Sequence, residues 1–338
     1  MYISFQNKIQ LHSGIGVRHF VIFLRLLYVV MLQVKAFVQL TLTPSVCEGL
    51  HHLVRAAGIG GLQTNTVCLG FYDKCTPTDR LTQFQIRKKG LFGSKAIDAE
   101  LGDIGVKFRG IRQNDGVKDL DVTEYVKMIA DSLKMQKNVM LCRNFINLKK
   151  ADMLDSKGTM FIDVWPVNFF RPETSSYFDN TCLFLLQLAC ILNMVRQWKP
   201  KTTLRVFLLD HPDTDTKNKK EEKLERYLRE LRIPARIQLV AWDTVAQSMA
   251  SQVKDQTINY PDSQLQDYNV VDDNYIKEIN ETISSFTART AVTFLYLPLP
   301  PTDASLSERY LQQLDALSAQ LPPTVFVHGL HPVTSTSL

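Results

Sequence analysis

The sequence predicts an α/β fold, a doubly wound parallel sheet in two related lobes of which the first is truncated. Two observations carry this. From Phe161 onward, runs of about six to nine apolar and β-branched residues alternate with amphipathic stretches of helical length. Pro200, Pro234, Pro322 and Pro323 fall just beyond the helical stretches, where a missing N–H does least harm.

In the first lobe the pattern gives a strand over Val34–Leu42, a helix over Ser45–Ala57, a strand over Thr66–Tyr72, a helix over Val122–Met135 and a strand over Val139–Cys142. In the second it gives strands over Phe161–Val167, Thr203–Leu209, Arg236–Trp242, Val292–Leu297 and Val325–His328. Between these lie helices over Phe178–Trp198, Lys217–Leu231, Asn274–Ala288, with Asp273 as its cap, and Ser305–Gln320. Strands joined by helical crossovers make a parallel sheet. The chain therefore divides into a divergent, disordered start (1–32), a first lobe (33–145), a complete second lobe (160–332) and a tail (333–338). Weak periodicity and many Gly, Lys, Arg and Asp make 73–120 a mobile insertion within the first lobe, and Thr244–Asp272 reads the same way.

Composition excludes several classes. With 45% hydrophobic and 22% charged residues among 338, the chain is an ordinary globular protein. Those hydrophobic residues number about 152, fewer than the ~240 that about twelve spans of ~20 would take, so this is not a complete transporter. Phe20–Leu40 is interrupted by Arg25, Gln33, Lys35 and Gln39, and it fits neither a membrane span nor a signal peptide. A net charge of +5 spread along the chain gives no nucleic-acid footprint. The six cysteines (Cys47, Cys68, Cys75, Cys142, Cys182, Cys190) contain no CxxC pair, which favours a reducing compartment. The seven histidines do not cluster with them at ligand spacing, so no metal is expected.

Chemistry-bearing motifs are sparse. Gly58, Gly60 and Gly61 follow a helix and precede a strand, the reverse of a phosphate loop, and read as a helix C-cap and turn. No GxSxG, HExxH or GxxxxGK[ST] occurs, so neither an enzyme nor a bound cofactor is expected. His51 and His52 share one helix and read as surface or capping residues. Asp163, in the segment IDVW, either satisfies nearby backbone groups or marks a ligand crevice. Together with Trp165, Asp210 and His211 it would wall an adenine-nucleotide site at the carboxyl ends of the strands. Thr336 and Leu338 fit the ending by which PDZ domains add a strand and bury a terminal side chain.

Several segments together resemble the cytosolic C-terminal domain of the cation-chloride cotransporters, solute carrier family 12. They are VKAFVQLTLTPSV at 34–46, HLVRAAGIGGLQTNTVCLGFYD at 52–73, DSLKMQKNVML at 131–141, IDVWPVNFFRP at 162–172, FLLQLACILNMV at 184–195, LRVFL at 204–208 and FLYLPLPP at 294–301, with the ending VHGLHPVTSTSL. The resemblance runs from about residue 33 to the last; residues 1–32 do not share it, and the strand with which the family opens this lobe is missing. It implies a universal-stress-protein-like α/β fold on the cytosolic face, serving dimerisation, trafficking and regulation of chloride-coupled potassium and sodium transport. The transport bundle itself lies outside this sequence. The expected partners are the membrane domain of the same or a related cotransporter and a second copy of the chain. The alternatives are a nucleotide-binding module and a soluble modulator of other cotransporters.

Overall fold

The computed structural model describes residues 43–58, 63–73, 120–145, 158–171, 177–210, 214–242 and 271–333, with Gln39, Thr41 and Leu148. The divergent start, the insertion within 73–120, the segment after Thr244, Gly60, Gly61 and the terminal Thr336 and Leu338 lie outside these residues. So does most of the strand expected over Val34–Leu42, of which Gln39 and Thr41 are described and are not in a strand.

The elements run α1 (Val46–Ala56), β1 (Thr66–Gly70), α2 (Val122–Lys134), β2 (Asn138–Arg143), β3 (Met160–Trp165), α3 (Asn180–Met194) and β4 (Thr202–Asp210). They continue with α4 (Thr214–Glu230), β5 (Ala235–Ala241), α5 (Asp273–Ser285), β6 (Thr290–Tyr296), α6 (Ser307–Leu317) and β7 (Thr324–His328). Among the described residues one seven-stranded sheet takes the order β1-β2-β7-β6-β3-β4-β5. From β3 the chain steps outward to β4 and β5, then returns to the other side of β3 for β6 and β7, which is the doubly wound path the alternation predicts.

The two lobes join edge to edge. β2 pairs with β7 antiparallel, Leu141 opposite Phe326, whereas every other neighbouring pair is parallel. Helices α2, α5 and α6 cover one face through Tyr125, Ile129, Ile276, Ile279, Leu314 and Leu317. Helices α3 and α4 cover the other through Phe184, Leu185, Leu186, Leu224 and Leu228. Alternation within β7 follows: Phe326 enters the first core, Val325 and Val327 the second.

Short polar side chains begin the helices. Ser45 accepts from the Glu48 amide, Asp121 from Thr123, and Asp179 from Cys182 at 2.7 Å. Gly58, at φ 82°, stops α1 in the left-handed conformation expected of a C-cap glycine. Asp273 is not the cap of α5: Asp272 holds that position, and Asp273 sits in the first turn with its carboxylate 2.7 Å from Arg309 on α6. Helix α3 ends at Met194, four residues short of Trp198, and the Asn193 amide donates to the Thr202 carbonyl at 3.0 Å as the chain turns into β4. Its last turns leave Ile191, Met194 and Val195 exposed. Among the described residues no helix is long and apolar enough to cross a membrane.

Gly329, directly after β7, lets α3 approach the sheet. The Thr181 hydroxyl donates to the Gly329 carbonyl at 3.0 Å and accepts from its amide at 3.2 Å. A Cβ there would overlap Phe184 Cβ and lie 2.9 Å from its Cγ. Gly329→Ala should lower stability by about 1–3 kcal/mol, the usual range for overpacking. Urea unfolding measures it, and an unchanged midpoint would mean that α3 moves aside freely.

Candidate functional site

The crevice where ligands settle in a doubly wound sheet lies at the carboxyl edge, beside the strands where the order reverses, here β3 and β6. In this chain its own side chains claim the polar backbone at that edge. Tyr310 donates to the Pro298 carbonyl at 2.9 Å, Tyr275 to Phe169 at 3.0 Å, and the Cys182 thiol to Pro166 at 3.2 Å. The Leu209 amide donates to the Tyr177 hydroxyl at 3.0 Å. His328 Nδ1 donates to the Leu297 carbonyl at 2.8 Å, and burial holds its imidazole below the ordinary histidine range against the opposing pull of that carbonyl and of Asp179.

Of the residues expected to wall a nucleotide, Trp165 ends β3 and Asp210 ends β4 at that edge, but Asp163 sits elsewhere. Asp163 is in the middle of β3, 1% exposed, opposite Arg205 of β4. Arg205 grips it with two parallel bonds, Nε to Oδ1 and Nη2 to Oδ2, each 2.8 Å, and Thr290 adds a hydroxyl donor to Oδ2. The same guanidinium donates to the Phe286 carbonyl and lies over the rings of Phe161 and Phe207 at 4.2 and 5.0 Å. Burial raises the Asp163 carboxyl above the usual range, while Arg205 and Thr290 draw it back. Asp163 is held in the fold by the side chains of Arg205 and Thr290, and not by the nearby backbone groups expected of it.

Trp165 is fully buried and stacks on Phe207, ring centroids 3.9 Å apart and planes within 2°. Asp210 closes β4 opposite Ala241, and His211 lies outside the described residues. Neither Asp163 nor Trp165 faces an open crevice.

Two clusters of reactive side chains were not expected. Cys68 on β1 and Cys142 on β2 are free thiols with their sulfurs 3.5 Å apart. Their mutual hydrogen bond lowers Cys68 below the ordinary thiol range and, with burial, raises Cys142. At the α1–α2 contact, Cys47 Sγ, His51 Nε2 and Asp131 Oδ2 converge, with Cys47 to His51 at 3.7 Å, His51 to Asp131 at 3.0 Å and Cys47 to Asp131 at 3.8 Å. Burial, then Asp131, raises the Cys47 thiol, so without a ligand it stays protonated. The expectation that no histidine clusters with a cysteine at ligand spacing is therefore corrected. The i, i+4 spacing of Cys47 and His51 on one helix was a readable signal.

No family model matches the sequence. Curated relatives do: the chain is 40% identical to solute carrier family 12 member 9 of Xenopus laevis over 314 residues, 91% of this chain and 34% of that protein. It is 34% identical to the Homo sapiens protein of the same name over 90% of this chain and 35% of that one. Vacuolar cation-chloride cotransporter 1 of Saccharomyces cerevisiae is 28% identical over 63% of the chain. Among solved structures, the cytoplasmic domain of a prokaryotic cation chloride cotransporter matches 87% of the chain and is itself covered over 74%, at 11% identity and a TM-score of 0.38. The chain spans about one third of the length of the member 9 relatives. With 34–40% identity to them along some nine-tenths of its residues, the chain is homologous to about one third of the solute carrier family 12 member 9 proteins.

Proposed function

We propose that this chain is the cytosolic regulatory and assembly portion of a cation-chloride cotransporter, acting by contact with a membrane-embedded transport bundle and with a second copy of itself. It neither catalyses a reaction nor moves ions alone. The observation that carries the reading is the placement of the identity: nine-tenths of this chain corresponds to only a third of the member 9 relatives. The fold suits such a role. A single sheet covered on both faces is a rigid platform, and its edge strands β1 and β5, with the exposed apolar end of α3, are surfaces for docking.

The test is reconstitution from separate polypeptides. The remainder of the Xenopus laevis relative, expressed without the segment matching this chain, should retain the tagged chain through purification. The chain alone should sediment as a dimer in analytical ultracentrifugation. A monomer that passes the membrane portion unretained would overturn the proposal.

A further inference from the structure

We propose that Cys47, His51 and Asp131 form a three-ligand site for a divalent transition-metal ion of borderline softness, zinc foremost. Helix α1 sets two of the donors, because residues four apart lie one turn above each other on the same face. The third comes from α2, which packs against that face.

The distances fit a tetrahedral ion. Zinc bonds of about 2.3 Å to sulfur and about 2.0–2.2 Å to nitrogen and oxygen put neighbouring donors about 3.4–3.6 Å apart. The separations here are 3.0, 3.7 and 3.8 Å. All three donors lie within 4.8 Å of one another, and shifts of a few tenths of an ångström, His51 and Asp131 apart and Cys47 inward, complete the geometry.

The arrangement does not suit nucleophilic catalysis. A base that relays a proton needs the thiol on one imidazole nitrogen and the carboxylate on the other. Here both lie against the same atom, Nε2. Convergence on one nitrogen belongs to a shared ion. A thiolate and a carboxylate together supply the two negative charges that balance a divalent cation, and neutral imidazole completes the set.

Neighbouring groups hold the ligands in place. Lys134 Nζ lies 3.9 Å from Asp131 Oδ1, leaving Oδ2 to the cluster. The Cys47 amide donates to Glu124 of α2 at 3.1 Å, tying the first turn of α1 to α2 beside the site. Cys47 is 6% exposed, whereas the side chains of His51 and Asp131 keep 28% and 17% of their surface in solvent. The site is closed beneath and open above, where a water takes the fourth position.

Helix α1 is where such a clasp matters most. It packs through a small core of its own, with Cys47, Leu50 and Val54 against Val67 and Met128, apart from the two large cores. A metal bridging α1 and α2 adds binding free energy to folding at this thin attachment.

Cobalt(II) titration of the purified full chain under reducing conditions tests the proposal. One Co2+ per chain should bind, with the sulfur charge-transfer band and intense visible absorption of a tetrahedral site, and zinc should displace it. Cys47→Ser should abolish the charge-transfer band, and His51→Gln should weaken binding at least about tenfold, the lower end of what even an outer-shell change costs. Cys68→Ser should leave both unchanged. Zinc should raise the Tm of the wild type and not that of His51→Gln, with circular dichroism confirming that each near-isosteric variant is folded. Absence of the band, or its loss in Cys68→Ser and survival in Cys47→Ser, overturns the site.

Discussion

Arg205→Ala should destabilise the fold by about 3–5 kcal/mol, the range for removing one partner of a buried ion pair. Asp163 is 1% exposed and takes both of its charged hydrogen bonds from this one guanidinium, so the variant strands a carboxylate in the sheet with only the Thr290 hydroxyl. Arg205→Lys should recover only part of the loss, because one ammonium cannot match two parallel bonds or lie flat over Phe161 and Phe207.

The deficit should also depend on pH in a defined sense. Burial raises the Asp163 carboxyl and Arg205 opposes it, so removing Arg205 lifts the folded-state pKa further above the unfolded value of about 3.9. A carboxyl raised on folding favours the folded state below the unfolded pKa, and that contribution is lost as pH rises through the folded pKa. The gap between variant and wild type should therefore be smallest below about pH 4 and widen toward neutrality. Urea unfolding across that range measures it, and a gap that stays constant would mean Asp163 does not rely on Arg205 for its charge.

Much of this architecture is legible in the sequence because the second-lobe strands are buried on both faces. TAVTFLY and TVFVH read as continuous apolar runs, and their places as β6 and β7 follow from the helices between them. Helix ends are less legible. Gln136, Arg232 and Gln320 take the left-handed position after α2, α4 and α6, where a glycine would have announced the stop. Pairing between distant segments leaves no local trace, so the antiparallel joint of β2 with β7 could not be read. Asp163 was visible as an acid in an apolar strand, but its partner Arg205, 42 residues on, was not. For the candidate metal site, half of the signal was present: Cys47 and His51 stand one helical turn apart, whereas Asp131 lies 80 residues beyond His51 and only folding brings it there.

Trp165 offers the second large effect and separates packing from polar satisfaction. Its indole is fully buried in the core on one face of the sheet, stacked on Phe207 of β4 with the rings of Phe169 and Phe286 nearby. Among the described residues its Nε1–H has no hydrogen-bond partner. Trp165→Ala should destabilise by about 3–5 kcal/mol through lost burial and the cavity left behind. Trp165→Phe loses one ring of contact but also removes a buried donor whose unmet desolvation costs about 1–3 kcal/mol. Its net loss should then fall below half that of alanine, because the phenyl ring keeps the stack on Phe207 and leaves no polar atom dry. Equal losses in thermal unfolding would require the indole N–H to be satisfied by an acceptor beyond the described residues, and Trp165 would then hold the sheet by a directional bond in addition to its bulk.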